Sequence, residues 1–191
     1  MNILRNNFAG FSLIELMVTV ALISILMAVA TPSIVTYRRN AELVSLANSL
    51  AASINAARGE AIKRGMYALV KPTDGFYWST GWVVFVDVNR NNAYDSGTDI
   101  LVAKSDVPSN TITITANGAA AGIPPYIRFD ASGYPKDQSN GFGALSLSIS
   151  RNDVTSNKAA EETRRLIVAS TGRVRVCKPS TDANCTSTEL Q

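Results

Sequence analysis

The sequence predicts an α+β protein in which one long N-terminal helix packs against a head of antiparallel β-strands. Three observations lead to this prediction. An apolar segment occupies residues 13–30, an amphipathic helical pattern follows it up to residue 64, and short segments with a two-residue period fill most of the rest. With 191 residues, the chain has room for one folded domain of ordinary size and one extended element.

The apolar segment is long enough to span a bilayer as a helix. Residues 13–30 contain a single charged residue, Glu15, and are close to the minimum length that spans a bilayer. Extension to Phe11 and to Val35 makes the segment comfortably long enough. Pro32, near its end, predicts either a kink or the end of the helix. We therefore predict a membrane-spanning helix over residues 11–36, preceded by a polar leader at residues 1–10.

The same segment has a second interpretation as a secretory signal peptide. Arg5 would supply its positive charge, and Ala28 and Ala30 offer the small side chains of a cleavage site after Ala30. The product would be a secreted, soluble β-domain binding protein that begins at Thr31. Glu15 argues against this alternative, because a carboxylate in an apolar segment costs on the order of a few kcal/mol unless another group compensates it.

A cut between Gly10 and Phe11 would compensate Glu15, because the new α-amino group would lie about one helical turn from the carboxylate. The run Gly-Phe-Ser-Leu-Ile-Glu-Leu at residues 10–16 resembles the processing site of type IV pilin-like proteins, which include pilins, minor pilins and the pseudopilins of type II secretion. The resemblance implies that a prepilin peptidase cuts after Gly10 and methylates Phe11. It also implies that Glu15 pairs with such an amine during filament assembly.

The second half of the predicted helix, residues 37–64, has one apolar face. Its members recur at spacings of three and four residues: Leu43, Ala47, Leu50, Ile54, Ala57 and Ala61. Gly65 follows and favours the end of the helix there. We expect a β-rich head, residues 65–176, to pack on this apolar face.

The head contains nine segments that favour β-strands, separated by turn residues. They cover residues 67–70, 76–78, 82–88, 100–103, 111–115, 126–129, 145–149, 165–169 and 173–177. Thr171 and Gly172 predict a hairpin turn between the last two. The head resembles the GspH/FimT subgroup of the pilin-like family through Gly-Trp-Val-Val-Phe-Val-Asp at residues 81–87 and Gly-Arg-Val-Arg at residues 172–175.

The loop at residues 87–99 is rich in side-chain oxygen atoms, as a calcium-binding loop is. Its candidate ligands are Asp87, Asn89, Asn91, Asp95 and Asp99. The pattern departs from the EF-hand, because Asn92 replaces the glycine and Thr98 stands where a glutamate is needed. The alternative is a polar turn in which Asx side chains bond to their own backbone.

Cys177 and Cys185 are the only cysteines in the chain, with seven residues between them. A head outside the cytoplasm would lie where disulfides form. We therefore predict that these two residues pair and pin the C-terminal tail, residues 177–191, to the last strand. Two thiols in a chain without histidine make a metal site a poor alternative.

A basic cluster occupies residues 164–178, which contain five cations and no acid, whereas the whole chain has a net charge of +3. Its members are Arg164, Arg165, Arg173, Arg175 and Lys178. Arg173 and Arg175 would project from one face of a strand, with Val174 and Val176 facing the core. Paired guanidinium groups are well suited to hydrogen bonds with a phosphate group.

The resemblance to FimT-like proteins implies that Gly172, Arg173 and Arg175 contact double-stranded DNA in natural transformation. The alternatives are a solvated strand face and a contact with a neighbouring pilin.

The composition argues against an enzyme, because the chain has no histidine and shows no nucleophile motif. We expect no cofactor. The predicted function is that of a minor pilin or pseudopilin, anchored in the bacterial inner membrane by a single span with its head in the periplasm. From there it would enter a type IV pilus or a type II secretion pseudopilus. Its expected partners are other pilins or pseudopilins, the prepilin peptidase, the inner membrane and double-stranded DNA.

Overall fold

The computed structural model describes residues 10–186, and the side chains of residues 29–33 lie outside that description. Most of the predicted leader, residues 1–9, and the end of the predicted tail, residues 187–191, are also outside it. The chain divides into two compact units, residues 1–40 and 41–191.

Helix α1 covers Leu13–Arg64, and its first part belongs to the first unit. The helix does not end at Pro32. Every large apolar side chain of residues 11–27 is exposed. Among the described residues, no helix is both long enough and apolar enough to cross a membrane. The membrane span predicted over residues 11–36 includes side chains that are not described, and it remains a prediction.

In the second unit, one face of α1 forms the centre of the hydrophobic core. The six residues of the predicted apolar face are all fully buried: Leu43, Ala47, Leu50, Ile54, Ala57 and Ala61. The helix ends at Arg64, and Gly65 follows with a φ of 65° in the left-handed region. The predicted packing face is confirmed, because helical spacing places these side chains on one side.

Within residues 10–186, nine strands form two antiparallel sheets, which confirms the predicted α+β fold. The strands are β1 Tyr67–Pro72, β2 Trp82–Asp87, β3 Ile100–Lys104, β4 Ile112–Gly118, β5 Ile127–Phe129, β6 Pro135–Lys136, β7 Leu145–Arg151, β8 Thr163–Val168 and β9 Val174–Cys177. One sheet has the order β3-β2-β1-β5-β6, and the other has the order β4-β7-β8-β9.

The four-stranded sheet has an inner face that belongs to the core and an outer face that is polar. In β7, Leu145, Leu147 and Ile149 are fully buried in the same cluster as the apolar face of α1. The serines between them point to the other side, since side chains alternate along a strand. This outer face carries the site described below.

Two segments of the head differ from the predictions. Residues 76–78 form a turn and the start of a short 3₁₀ helix, Trp78–Thr80, instead of a strand. The Asp74 carboxylate accepts two backbone N–H groups of this segment, both at 2.8 Å, and so holds it in a turn. Strand β6 was not predicted, because two residues are too few to show any alternation.

Candidate functional site

The predicted processing site lies directly before the first turn of α1. Gly10 and Phe11 are exposed, and Ser12 precedes the helix. The Ser12 hydroxyl accepts the backbone N–H of Glu15 at 3.2 Å, and its carbonyl accepts that of Leu16 at 3.2 Å. Ser12 is therefore the N-cap, and Ser-x-x-Glu has the spacing of a capping box. Glu15 thus lies in the first turn, where the positive end of the helix dipole stabilises a carboxylate. This stabilisation was not predicted.

This helix cap compensates the charge of Glu15 only in part. A carboxylate in the first turn of a helix gains about 0.3–1 kcal/mol from the dipole. A charge in an apolar membrane segment costs on the order of a few kcal/mol. The pairing of Glu15 with a cleaved amine at Phe11 therefore keeps its physical reason, and it stays a prediction.

The acidic loop, residues 87–99, uses its carboxylates to bind its own backbone. Asp87 is buried and accepts the N–H groups of Asn91 at 3.2 Å and Asn92 at 2.9 Å. Asp99 is also buried and accepts two backbone N–H groups, at 2.9 and 2.8 Å. Four hydrogen bonds therefore occupy the two buried carboxylates.

The remaining candidate ligands of the acidic loop bond to one another. Asn89 and Asn91 each accept a backbone N–H through Oδ1 and donate their amide groups to Asp95, at 2.8 and 2.6 Å. These two side-chain bonds lower the pKa of Asp95. Within residues 10–186, no three acidic or cysteine side chains come together as a metal site would require. These hydrogen bonds are those of the Asx-turn alternative, and the calcium site predicted from Asp87, Asn89, Asn91, Asp95 and Asp99 stays a prediction.

Arg128 links the acidic loop to a second polar turn, and no sequence pattern pointed to it. Its buried guanidinium donates to the side chain of Asn92 at 2.9 Å, to the Asp137 carbonyl at 2.9 Å and to the side chain of Asn140 at 2.5 Å. The same group lies 5.1 Å from the ring centroid of Tyr67. The acidic loop is therefore part of the packing of the head.

The basic hairpin, residues 163–177, consists of β8, β9 and the turn at residues 169–173, in which the pair Ala169 and Arg173 closes a three-residue loop. The Ala169 N–H donates to the Arg173 carbonyl at 3.0 Å, and the Gly172 N–H donates to the Ala169 carbonyl at 2.8 Å. Gly172 has a φ of 81°, the left-handed conformation that the last position of such a loop requires. The predicted hairpin turn is confirmed. Arg173 lies in the turn and not in the strand, because β9 begins at Val174.

Arg58 of α1 holds this turn in place. It donates to the carbonyl oxygens of Gly133 at 2.9 Å, Gly172 at 2.9 Å and Thr171 at 3.3 Å. A Cβ atom at Gly172 would lie 2.7 Å from the Gly133 carbonyl oxygen. Glycine is therefore favoured at position 172 for two reasons: its left-handed backbone conformation and the lack of space for a Cβ atom. Arg58 could not be predicted from the sequence, where its only distinguishing feature is that it directly follows Ala57 of the apolar face.

The five cations of the basic cluster have different surroundings. Arg164 is buried and donates to the carbonyl oxygens of Glu161 at 3.1 Å and Thr163 at 2.7 Å. Burial lowers its pKa. Arg164 is therefore not part of an exposed basic face, which corrects its assignment as a DNA contact. Arg173 is exposed, and Lys178 is half-buried.

The C-terminal clasp, residues 178–185, is closed by the disulfide between Cys177 and Cys185. The predicted disulfide is confirmed. Both cysteines are buried in one cluster with Ile167 of β8. Within the clasp, the backbone N–H groups of Thr181 and Asp182 both donate to one carbonyl oxygen at 3.1 Å. The clasp is therefore an ordered turn that packs on the basic hairpin.

Arg165 and Arg175 both bond to the clasp. Arg165 donates to the Ser148 hydroxyl at 3.0 Å and to the carbonyl oxygen of Cys185. Arg175 donates to the Asp182 carboxylate at 3.2 Å and to a clasp carbonyl oxygen at 2.7 Å. The clasp thus brings one carboxylate into a cluster that has none in its own sequence.

Two known protein families match the chain. The family described as Type II transport protein GspH matches residues 46–172, which is more than half of the chain. The prokaryotic N-terminal methylation motif matches residues 5–31 and so includes Gly10, Phe11 and Glu15.

Individual relatives agree with these families. The pilin-like protein PilA1 of Thermus thermophilus is 34% identical over 89 residues, which are 46% of this chain and about half, 54%, of that protein. A crystal structure of the type IV minor pilin FimU of Pseudomonas aeruginosa has a TM-score of 0.54 at 19% identity, over 76% of this chain and 95% of that chain. A second crystal form of FimU gives 0.53 at 19% identity, over 73% and 95%. The fold is therefore shared with FimU, and the chain belongs to the GspH family of type IV pilin-like proteins.

Proposed function

We propose that this chain is a non-catalytic subunit of a type IV pilus or a type II secretion pseudopilus, which assembles with other pilins or pseudopilins. Residues 11–36 anchor the precursor in the inner membrane, with the head in the periplasm. The prepilin peptidase cuts between Gly10 and Phe11 and methylates Phe11. The observation that carries this proposal is the methylation motif match over residues 5–31, at the start of a helix that Ser12 caps.

The start of α1 supports cleavage at this junction. The cut would leave Phe11 and Ser12 ahead of a helix that begins at Leu13, so the new ammonium group would lie at the positive end of the helix dipole. A positive charge there is unfavourable unless an acid is near. Glu15 in the first turn is such an acid, and it would also be available to the amine of a neighbouring subunit.

The N-terminus of the protein purified from membranes tests this part of the proposal. We expect mass spectrometry of the first peptide to show a chain that begins at Phe11 and carries one additional methyl group. The matched control is the same protein expressed without a prepilin peptidase, which should keep residues 1–10. A mature chain that begins at Thr31 would instead establish the secreted alternative.

We further propose that the head binds double-stranded DNA through the basic hairpin. Arg173 is exposed at the turn, and Gly172 and Arg58 hold that turn in one conformation. Arg175 is about a third exposed and pairs with Asp182, which is also about a third exposed. Such a surface pair stabilises a protein by roughly 0–1 kcal/mol, so a phosphate group can replace the carboxylate at little cost.

A salt series with the full-length protein in detergent micelles tests DNA binding. We expect a fluorescently labelled duplex to bind at low salt, with an affinity that falls steeply as salt rises. Arg173→Ala should lower the salt slope by about one counterion and weaken binding at every salt concentration. Lys158→Ala is the matched control, because it also removes one exposed positive charge, from the short 3₁₀ helix Ser156–Lys158 that precedes β8. Equal binding by the two variants would contradict a role for Arg173.

The second candidate function is a pseudopilin that acts through protein contacts alone. The match to the Type II transport protein GspH family favours it. Absence of salt-sensitive DNA binding by the wild-type protein would leave this candidate as the better description of the head.

A further inference from the structure

We infer that the outer face of the four-stranded sheet receives the phosphate backbone of duplex DNA, and that the C-terminal clasp covers the basic edge of this face. The inference rests on the proposed DNA binding and adds two features to it. It names a binding surface beyond the hairpin turn, and it assigns the clasp a role in regulating access to that surface.

Strand register aligns the side chains of the outer face in rows, and two of these rows contain an arginine. Residues that are directly opposite in neighbouring antiparallel strands point to the same face. The first row is Thr115, Ser148, Arg165 and Cys177, and the second row is Asn117, Ser146, Ile167 and Arg175. Each row thus begins with a hydroxyl or amide side chain on β4 and contains one arginine on β8 or β9.

The chemistry of this face suits a phosphodiester backbone. Thr115 and Asn117 are exposed on the edge strand β4, and Ser148 is half-buried between Thr115 and Arg165. Hydroxyl, amide and guanidinium groups are the side chains that contact DNA phosphates most often. The strand residues of this face are all described, and none of them is acidic. In the second row Ser146 and Ile167 are buried, so a polyanion would meet donors and positive charge along the first row and at the two ends of the second, Asn117 and Arg175.

The clasp occupies the two arginines that a phosphate would need. Arg165 bonds to the carbonyl oxygen of Cys185, and Arg175 bonds to the Asp182 carboxylate. The disulfide holds the clasp over Ile167, at the centre of the basic end of the face. Asp182 is thus an internal competitor for the same guanidinium group, held in place by a covalent link. Removing its charge should favour the complex with DNA.

Charge placed on the far edge of the face tests the surface itself. Thr115→Glu adds a negative charge at an exposed position and leaves the core residues of β4 unchanged. We expect it to weaken duplex binding about five- to tenfold at low salt, because like charges repel across the interface. Thr98→Glu is the matched control, since it makes the same change at an exposed position in the acidic loop. Equal affinities of the two variants would overturn the inferred surface.

Removal of the Asp182 carboxylate tests whether the clasp competes with DNA for Arg175. Asp182→Asn keeps the size of the side chain and the disulfide, and it should raise duplex affinity about two- to fivefold, the gain expected from releasing a surface ion pair. Cys177→Ser combined with Cys185→Ser should raise it in the same direction by freeing the clasp. An affinity that is unchanged or lower in both variants would show that the clasp does not compete with DNA.

Labelling of arginines with phenylglyoxal gives a readout that does not depend on DNA. Mass spectrometry should show that Arg175 reacts about threefold faster in Asp182→Asn than in the wild-type protein, with Arg173 of the same chain as the internal reference. Unchanged labelling would overturn the cover even if no variant binds DNA. If Arg173→Ala weakens DNA binding but Thr115→Glu and Asp182→Asn behave as wild type, the proposed function stands and this inference fails.

Discussion

In the acidic loop, Asp87 and Asp99 each accept two backbone N–H groups. Beside the basic hairpin, the Asp182 carboxylate accepts one backbone N–H, that of an exposed residue, and its other oxygen accepts from the side chain of Arg175. Both regions are polar. The acidic loop connects β2 and β3, and the clasp that contains Asp182 follows β9. The carboxylates of the acidic loop are buried, but Asp182 is about a third exposed.

The difference shows how the partner of a charged group decides whether it is available to a ligand. A buried carboxylate that accepts the backbone N–H groups of its own loop is part of the fold and is costly to remove. An exposed ion pair exchanges readily with water, salt or another ion. The acidic loop is therefore a structural element, and the basic hairpin is the region where charge is available for binding.

Loss of Asp87 should have the largest effect on stability. Asp87→Ala leaves the Asn92 N–H without its acceptor and the Asn91 N–H with only the Asn89 side chain. It also removes the negative charge near half-buried Lys71, so we expect a loss of about 2–4 kcal/mol in the free energy of unfolding. Asp182→Ala should cost less than about 1 kcal/mol. Thermal unfolding followed by the near-ultraviolet signal of the buried residues Trp78 and Trp82 measures both. Equal losses of stability in the two variants would contradict the conclusion that the Asp87 carboxylate is part of the fold and the Asp182 carboxylate is not.

The hairpin turn should be the next most sensitive position. Gly172→Ala puts a Cβ atom 2.7 Å from the Gly133 carbonyl oxygen at a φ of 81°, and we expect it to cost about 1–3 kcal/mol. Gly65→Ala is the matched control, because Gly65 also has positive φ but has open space around it, and it should cost about 1 kcal/mol. The difference between the two melting temperatures isolates the close approach. A larger loss from Gly65→Ala would contradict the packing role of Gly172.

The acidic loop should also make stability depend weakly on pH. Hydrogen bonds from Asn89 and Asn91 lower the pKa of Asp95, so its contribution to stability is complete above the unfolded value of about 3.9 and is lost as pH falls through the folded value. We expect Asp95→Asn to reduce the fall in melting temperature between about pH 5 and pH 2.5. Asp106→Asn, on another exposed loop, corrects for the change in net charge. Identical pH profiles for the two variants would contradict the role of Asp95.

Several features could be predicted from the sequence because they depend on near neighbours in the chain. The apolar face from Leu43 to Ala61 follows from helical spacing, the hairpin turn follows from Gly172, and the disulfide follows from there being only two cysteines. The N-cap at Ser12 was equally local, and the Ser-x-x-Glu spacing was the signal that could have found it.

The contacts made by Arg58, Arg128 and Arg164 could not be predicted in the same way. Arg58 and Gly172 are far apart in the sequence, and Arg128 joins the acidic loop to the turn that contains Asn140. Arg164 and Arg165 are adjacent in the sequence and have the same neighbours there. The Arg164 side chain nevertheless points to the buried face and that of Arg165 to the outer face. A strand shifted by one residue would reverse that assignment.

By itself, the sequence determined the helix, the antiparallel character of the head, the disulfide and the resemblance to pilin-like proteins, since each depends on periodicity or on a short motif. Only the tertiary structure decided which charges are available. Strand register put Arg165 and Arg175 on the outer face and Arg164 on the inner face, and the clasp brought Asp182 to Arg175. The physical reason is that the environment of a charge is set by groups that meet it across the sheet, and the order of residues along the chain does not contain those neighbours.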